Sequence, residues 1–213
     1  LVFEPDVILM AEPLGALDRA LRIEMEAVIR SIHRKLRATM IYVTHDQQEA
    51  LALSDRIAIM RHGRLVDVGT PERLYEDPGS TFVASFFANA NLVDAQLLER
   101  RGDGRARVRA VGSEFECRTS GPVLGRPKLA LRRRSFRLAE PDGPSIPIRG
   151  RVAETLLFGD ERQIVLDVPD AGRVVALMEA RTSAVLGVGD DVQLHVPRDE
   201  TVVVGEADPD QGA

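Results

Sequence analysis

The stretch VILMAEPLGALD, Val7–Asp18, constrains the fold of this chain more than any other feature of the sequence. It opens with the apolar run Val7–Met10, and such a run between turn residues is typical of a strand buried on both faces of a sheet. Glu12 follows, and Pro13, which has no backbone N–H to donate, ends the strand. A carboxylate at the end of a buried strand is a common location for chemistry in α/β folds, and the alternative is a strand that simply stops in a polar loop.

A long helix and a second strand are predicted next. The helix runs from Arg19 to Arg37, with Asp18 as its N-cap, because apolar residues recur there at helical spacing. Thr39–Val43 is then predicted as a strand, so the three elements form a βαβ unit with a right-handed crossover between parallel strands. The apolar face of the helix comprises Leu21, Met25, Val28, Ile29, Ile32 and Leu36.

Glu12 and His45 each follow one of the two predicted strands. Because parallel strands end at the same edge of a sheet, we expect these side chains to share one site although they are far apart in sequence. A carboxylate and an imidazole together suit water activation and anion recognition, whereas a loop histidine with no such role is the alternative. Asp46 is predicted to cap a short helix, Gln47 to Leu53, and Glu49 is placed to complete a capping box.

The character of the sequence changes near Asn89. Before it, a strand and hairpin over residues 55–68 and two short helices, beginning at Pro71 and Thr81, are predicted from turn and cap signals. After it, short apolar alternations lie between Gly, Pro and charged residues, with Glu140–Pro147 as a turn-rich loop, which is typical of a small all-β barrel or sandwich. The alternating segments are Ala106–Val111, Leu129–Leu131, Gly150–Leu157, Gln163–Val168, Val174–Met178, Val192–Val196 and Thr201–Val204.

Composition narrows the class of protein. The 213 residues carry a formal net charge of -5, so no basic excess points to nucleic acid or an acidic membrane surface. Cys117 is the only cysteine, which excludes an intrachain disulfide and suits a reducing compartment. No apolar run is long enough to span a bilayer. Because the chain begins with Leu1 and enters a buried strand almost at once, we expect a fragment of a longer protein.

Several motifs in a fixed order carry a resemblance to a known family. Linked motifs of this kind are more specific than any single short pattern, and the match runs from Leu1 to about Val93. The segments that resemble ATP-binding-cassette (ABC) importer ATPases are Ile8–Asp18, Tyr42–Ala50, Ser54–Met60 and Gly69–Tyr75. The region beyond Asn91 resembles the OB-like regulatory β domain often called TOBE, chiefly at Gly150–Gly159 and Gly189–Val196.

The resemblance implies a fold class and domain boundaries. We expect an α/β fold over residues 1–88, a partial parallel-sheet P-loop NTPase core that is the C-terminal part of an ABC ATPase domain. An all-β OB-like (TOBE) domain over residues 91–205 follows, and then a disordered tail over residues 206–213. No repeat of the solenoid type is present in the sequence.

The resemblance also implies roles for individual residues. Glu12 corresponds to the catalytic glutamate after the Walker B strand, which polarises the attacking water, and His45 to the H-loop histidine, which contacts the γ-phosphate. Asp18 corresponds to the D-loop aspartate, a nucleotide-site residue that crosses the dimer interface. The implied cofactors are ATP and Mg²⁺. The implied partners are a second ATPase subunit in a homodimer, two transmembrane permease subunits and, indirectly, a periplasmic or extracellular solute-binding protein, with the ATPase peripheral on the cytoplasmic side of the plasma (inner) membrane.

Two departures from the family pattern affect the expected activity. Ala11 stands where the family carries the Walker B aspartate, which orients Mg²⁺ and its waters, so we assign no metal ligand and expect hydrolysis to be impaired. The G-x-x-x-x-G-K-[ST] phosphate loop, the Q-loop and the LSGGQ-type signature are absent from the sequence. Because that loop supplies most of the grip on the phosphates, we expect weak or no ATP binding by this chain alone.

Alternative functions stay open at this point. Phe82–Leu92 and the motif after His45 favour the spermidine/putrescine branch, with iron, sulfate or sugar as other solutes. A non-catalytic regulatory or interaction module is a different class of function, which Ala11 and the missing phosphate loop favour. Nucleic-acid binding through the Arg132–Arg134 cluster is disfavoured, because aromatic residues are only 4% of the chain, Trp is absent, and single-strand binders of this fold stack bases on aromatic side chains. That cluster is instead expected to be a solvated strand end, and His195 has no partner that the sequence identifies.

Overall fold

A computed structural model of the chain describes residues 5–36, 38–121 and 123–206. The predicted helix end at Arg37 lies outside these residues, and so does the predicted disordered tail over residues 206–213 except for Glu206, whose backbone N–H donates to the Leu124 carbonyl at 3.0 Å. The described chain forms two compact units. The first unit takes up the residues as far as Ile59 together with Val68–Pro71, and the second unit takes up Met60–Asp67 and the residues from Glu72 onward.

The first unit contains the predicted strand–helix–strand arrangement. Strands β1 and β2 pair in parallel, with Val7 opposite Thr39 and Ala11 opposite Val43. The predicted helices and strands occur within one or two residues of their expected bounds, because strand, cap and helix signals agree along this segment. The elements are β1 (Val7–Ala11), α1 (Arg19–Leu36), β2 (Thr39–Val43) and α2 (Gln47–Leu53).

The expectation that the first strand is buried on both faces is wrong. Val7 and Leu9 in β1, and Ile41 and Val43 in β2, are each more than half exposed, while the residues between them are partly buried. In the described residues the parallel sheet has two strands, so alternate side chains have no neighbouring layer to pack against. The structure therefore shows a parallel strand pair, and the wider P-loop core predicted for residues 1–88 stays a prediction.

The apolar face of α1 is also largely open. Ile29 is buried, whereas Leu21, Val28 and Ile32 are exposed. The helical spacing of these residues was therefore sufficient to predict the helix, but not its burial. Of the helices in the described residues, none combines the length and the apolar character needed to cross a membrane.

A hairpin and two short helices follow. The turn lies at His62 and Gly63, as predicted, and both residues have positive φ (50° and 75°), which matches the twist of a tight hairpin. Ser80 caps the last of these helices, its hydroxyl oxygen accepting from the Val83 backbone N–H at 3.3 Å. The elements are β3 (Ile57–Arg61), β4 (Arg64–Gly69), α3 (Pro71–Glu76) and α4 (Thr81–Phe86).

The all-β character predicted for the second part of the chain is confirmed, with OB-like curled sheets. A six-stranded sheet has the order β5-β9-β14-β8-β7-β6, and a four-stranded sheet the order β12-β11-β10-β13. Strand β14 is parallel to β8, and the other neighbouring strands of these two sheets pair antiparallel. The strands are β5 (Ala90–Asp94), β6 (Gln96–Arg100), β7 (Arg105–Ala110), β8 (Ser113–Thr119), β9 (Lys128–Arg132), β10 (Ser145–Phe158), β11 (Glu161–Val168), β12 (Gly172–Glu179), β13 (Asp191–Pro197) and β14 (Thr201–Val204).

Three of these strands escaped the sequence analysis. Strands β5, β6 and β8 carry few inward-facing apolar residues; in β8 only Phe115 and Cys117 are buried, which is too weak an alternation to recognise. The predicted loop Glu140–Pro147 is wrong at its end, because β10 begins at Ser145 and pairs Ser145 with Pro197. Hydrogen bonding to β13 outweighs the turn character of those residues.

Both sheets contribute to one core. Ile148 and Leu166 from the four-stranded sheet and Leu129 and Leu131 from the six-stranded sheet are fully buried in the same cluster. The Asn91 side chain joins the two sheets: its amide nitrogen donates to the carbonyls of Leu131 (3.1 Å) and Val175 (2.8 Å). Its amide oxygen accepts from the Val175 N–H at 2.8 Å, so a side chain takes the place of a neighbouring strand at the edge of β12.

Candidate functional site

Glu12 is held in an unusual backbone conformation at the end of β1. Its N–H donates to the Val43 carbonyl at 2.8 Å and so continues the β1–β2 ladder by one residue. Its φ is 46°, in the left-handed region that residues with a Cβ seldom adopt. Such strain persists only where the surroundings enforce it and is concentrated at functional sites, which makes Glu12 a candidate for one.

The structure brings Glu12 and His45 together. His45 Nδ1 lies 3.1 Å from Glu12 Oε1. A carboxylate only accepts hydrogen bonds, so Nδ1 carries the proton that is shared. The His45 side chain is 77% exposed and that of Glu12 56% exposed, so the pair adds little to stability. The two groups are therefore positioned next to each other and remain accessible from solvent.

The helix after His45 begins with the predicted cap. Asp46 Oδ1 accepts from the backbone N–H groups of Gln48 (2.8 Å) and Glu49 (3.4 Å). The predicted capping box is wrong in its second half, because the Asp46 N–H donates to the Thr44 hydroxyl at 2.9 Å and not to Glu49. The Glu49 side chain is instead turned inward and buried, a role that the sequence analysis missed.

Asp18 caps α1, as one of its two predicted roles required. Its Oδ1 accepts from the Leu21 N–H at 2.9 Å, and its carbonyl accepts from the Arg22 N–H. This bond accounts for the residue type at the start of the helix. The D-loop role of Asp18 stays a prediction.

The residues beside Glu12 do not fit a magnesium site. Mg²⁺ takes oxygen ligands in octahedral geometry, and Ala11, the last residue of β1, offers only a methyl group. Glu12 and His45 supply one carboxylate and one imidazole. Within the described residues no group of three or more His, Cys, Asp or Glu side chains could hold a metal ion.

In the second unit, the arginine run is only partly a solvated strand end. The Arg132 guanidinium lies 5.4 Å from the centre of the Tyr75 ring and 3.8 Å from Glu200, and it is largely buried. Arg134 is paired with Glu161. Two of the three arginines therefore contact other side chains of the same unit, so part of the run contributes to the structure of that unit.

His195, which had no partner in the sequence analysis, is buried in β13. Its Nδ1 lies 3.3 Å from the Ser145 hydroxyl, and its backbone exchanges two hydrogen bonds with Arg137. A satisfied core histidine of this kind needs no catalytic explanation. His62 is exposed at its turn.

A cavity of about 580 Å³ also lies in the second unit. Three arginines and three carboxylates line it together with prolines and Cys117, so its charged groups balance and favour no ligand of one sign. The charged lining residues are Arg105, Arg118, Arg198, Glu116, Asp199 and Glu200.

Comparison with known proteins gives one domain match and several related sequences. A TOBE domain family model matches residues 129–204. The Fe(3+) ions import ATP-binding protein FbpC of Agrobacterium fabrum is 41% identical over 159 residues, which cover 75% of this chain and 44% of that protein. The spermidine/putrescine import ATP-binding protein PotA of Rubrobacter xylanophilus is 36% identical over 212 residues, covering 96% of this chain and 55% of that protein.

One further relative and one solved structure are also similar to the chain. The spermidine/putrescine import ATP-binding protein PotA 2 of Pseudomonas aeruginosa is 37% identical over 201 residues, covering 91% of this chain and 55% of that protein. The solved structure of the cytoplasmic molybdate-binding protein ModG with molybdate bound covers 54% of this chain and 95% of its own, with a TM-score of 0.43 and 9% identity, too little to indicate a function.

The chain spans about half the length of the curated relatives it matches. Their names agree on import and on ATP binding, and the TOBE match agrees with the strands that follow α4. The resemblance found in the motifs from Ile8 to Tyr75 is therefore confirmed. Over most of its length the chain is similar to ATP-binding proteins of ABC importers, several of which are named for spermidine/putrescine import, and it carries a match to the TOBE domain.

Proposed function

We propose that the chain is part of the ATP-hydrolysing subunit of an ABC solute importer, with a polyamine as the favoured solute. The observation that carries the proposal is the 3.1 Å contact of Glu12 and His45 at the common end of two parallel strands. Several relatives named for spermidine/putrescine import favour the polyamine, while the iron importer keeps iron open beside sulfate and sugars.

The proposed roles follow the family motifs. Glu12 is the group that would polarise the attacking water, His45 the group that would contact the terminal phosphate, and Asp18 the D-loop residue at the nucleotide site. The solvent-accessible pair and the strained backbone of Glu12 support an active-site location for them. ATP would be the substrate, with Mg²⁺ in the intact family.

The proposed architecture places residues 1–88 in the C-terminal part of a parallel-sheet P-loop core and residues 91–205 in the TOBE domain. Apolar side chains open on β1 and β2, Leu9 and Ile41 among them, support a further layer packed on the face of this strand pair, as in parallel sheets covered on both faces. The proposed assembly is a homodimer docked to two permease subunits on the cytoplasmic side of the plasma (inner) membrane. A solute-binding protein acts on the other side, and no nucleic acid takes part.

Ala11 limits the activity that we propose. Its methyl group cannot orient a magnesium ion, and the sequence lacks the glycine-rich loop that holds phosphates. Hydrolysis by this chain is therefore absent or severely impaired. The same two features favour a second candidate function, a non-catalytic regulatory or interaction module built on the TOBE domain.

ATP binding and hydrolysis distinguish these functions. The chain itself would be assayed beside a chimera in which the preceding residues of Rubrobacter PotA are joined to it, with Ala11 retained, Ala11→Asp or Ala11→Asn. We expect no turnover by the chain, and turnover at least about a hundredfold higher in the Ala11→Asp chimera than in the other two. The Asn variant is the matched control, since it has the size of Asp without the charge.

Two results would contradict parts of this proposal. Turnover by the chain alone would contradict the impaired hydrolysis, because it would mean that other residues hold the phosphates. A folded Ala11→Asp chimera that binds ATP without turning it over would favour the regulatory module.

A further inference from the structure

Glu49 is a buried carboxylate with an unusual set of partners. It lies in the first turn of α2 and is only 2% exposed. Its Oε2 accepts hydrogen bonds from the Tyr42 hydroxyl at 2.9 Å and the Thr44 hydroxyl at 2.8 Å. Burying a carboxylate is costly unless such bonds replace those to water. The chain therefore keeps this carboxylate in place with two hydroxyl groups from the end of β2 and the residue after it.

Thr44 uses both hydrogen-bonding capacities of its hydroxyl group. It donates its one proton to Glu49 and accepts from the Asp46 N–H at 2.9 Å. Asp46 is in turn fixed as the cap of α2. The backbone is thus held immediately before and immediately after His45, whose own side chain reaches out to Glu12.

Arg22 extends this cluster to the turn after β1. Its Nε lies 3.7 Å from Glu49 Oε1, and its Nη1 donates to Asp46 Oδ2 at 2.8 Å. Its Nη2 donates to the Leu17 carbonyl at 3.3 Å, one residue before Asp18. One guanidinium therefore bridges the segment that carries Asp18 and the segment that carries His45.

The charge state of the cluster agrees with this arrangement. Burial, followed by the hydrogen bond and the negative charge of Glu49, raises the pKa of Tyr42 above its ordinary value. Tyr42 therefore remains a neutral donor to the carboxylate over the whole physiological range. Arg22 supplies a positive charge close to both Glu49 and Asp46.

We propose that Glu49 is a positioning residue, which fixes the loop around His45 through Thr44 and Arg22 and so holds the imidazole against Glu12. This inference rests on the proposed function only in one respect, the role of the His45–Glu12 pair in ATP hydrolysis. Its geometry does not depend on ATP. Without the Glu49 carboxylate, Thr44 loses its acceptor and the loop is free to turn the imidazole away from Glu12.

Nitrogen NMR of the histidine rings tests the proposal on the chain as it is. At pH 8 an ordinary imidazole is neutral, and the proton population on Nδ1 reports whether that nitrogen donates to a carboxylate. We expect a population at His45 at least about twofold that of exposed His62. Glu12→Ala, which removes the acceptor, calibrates the value expected for an unpaired ring.

Glu49→Leu, which removes the acceptor, should lower the Nδ1 proton population of His45 to that of His62, with the signals of buried His195 unchanged. Glu24→Leu, at an exposed carboxylate on α1, is the matched control and should change nothing. Thr44→Val removes both hydrogen bonds of the Thr44 hydroxyl but keeps the Glu49 carboxylate, and it should have the same effect on His45. Thr44→Val therefore tests the proposal even if Glu49→Leu fails to fold.

An unchanged His45 in folded Glu49→Leu or in Thr44→Val would overturn the positioning role. The measurement requires no nucleotide, so its outcome is separate from that of the ATPase assay. A chain that shows the His45 effect but gives no turnover in the chimera would retain the positioning role and lose the proposed function. A purely structural role for Glu49 would shift the signals of all histidines together, and this would also contradict the proposal.

Discussion

Leu166 in the β domain is fully buried, whereas Leu9 in β1 is 70% exposed, although both are leucines in strands. The two sheets of the β domain cover each other's inner faces, so its apolar residues meet one another in one core. The two-stranded parallel sheet of the first unit has no such second layer among the described residues. The comparison shows that the β domain supplies its own apolar burial, while the first unit presents apolar surface.

The candidate site lies in the less buried of these two units. Its geometry depends on hydrogen bonds and charges around Glu49, and on the backbone bond from Glu12 to Val43. Such contacts are directional, so they fix side-chain positions more narrowly than apolar packing does. Each is worth only about 1 kcal/mol net in stability, however. The side chains of the site are therefore positioned by hydrogen bonds in the first unit, whereas most of the apolar burial that stabilises the chain lies in the β domain.

Of the substitutions considered, truncating a core side chain of the β domain should lower the free energy of unfolding most. We expect Leu166→Ala to lower the free energy of unfolding by about 2–5 kcal/mol, because it removes buried apolar surface and leaves a cavity. Urea unfolding followed by far-ultraviolet circular dichroism measures this loss. Leu156→Ala, a partly exposed leucine of the same sheet, is the control and should cost less than about 1 kcal/mol. Equal losses would show that the β domain does not depend on its core in this way.

Features of the first unit that depend on local signals could be predicted from the sequence. The bounds of β2 and α2 follow from local signals, such as apolar runs and the Asp46 cap, which act over a few residues. The proximity of Glu12 and His45 follows from one topological rule about parallel strands. Neither prediction required knowledge of what packs against the strands.

Other features depend on distant partners and could not be predicted. The exposure of Leu9 is set by the absence of a covering layer in the described residues, not by its neighbours in sequence. Asn91 bonds the backbone of Val175, 84 residues away, and nothing local distinguishes it from a turn asparagine. Glu49 has the spacing of a capping box, but the hydroxyls of Tyr42 and Thr44 draw its side chain inward.

The thiol of Cys117 offers a second way to compare the buried core of the β domain with the exposed face of β1. Cys117 lies in the core of the β domain, and burial raises its pKa from an ordinary 9.0 to about 12, with Arg198 acting weakly in the opposite direction. A thiol whose pKa is higher in the folded state stabilises the fold fully below the unfolded pKa. That contribution is lost as the pH rises from about 9 towards 12.

At pH 8, we expect Cys117 to react with a disulfide reagent at least about a hundredfold more slowly in the folded chain than in urea, because thiolate and access are both lacking. A Cys117→Ala chain that also carries Leu9→Cys should react rapidly without urea, since that position is exposed. Fast modification of Cys117 in the folded chain would show that the core of the β domain is accessible. Slow modification of Cys at position 9 would show that the face of β1 is covered, and either result would contradict the difference in burial between the two units.

The smallest effect on stability is expected at the exposed strand face. Leu9→Ser should change the free energy of unfolding by no more than about 0.5 kcal/mol, because its side chain already meets solvent. Binding of an apolar fluorescent dye should decrease, since an exposed patch of this kind is where such dyes bind. Leu14→Ser is the matched control: Leu14 is buried just after β1, so its replacement should destabilise the first unit measurably. If Leu9→Ser proves as costly as Leu14→Ser, the face of β1 is covered in solution, and the first unit supplies its own burial after all.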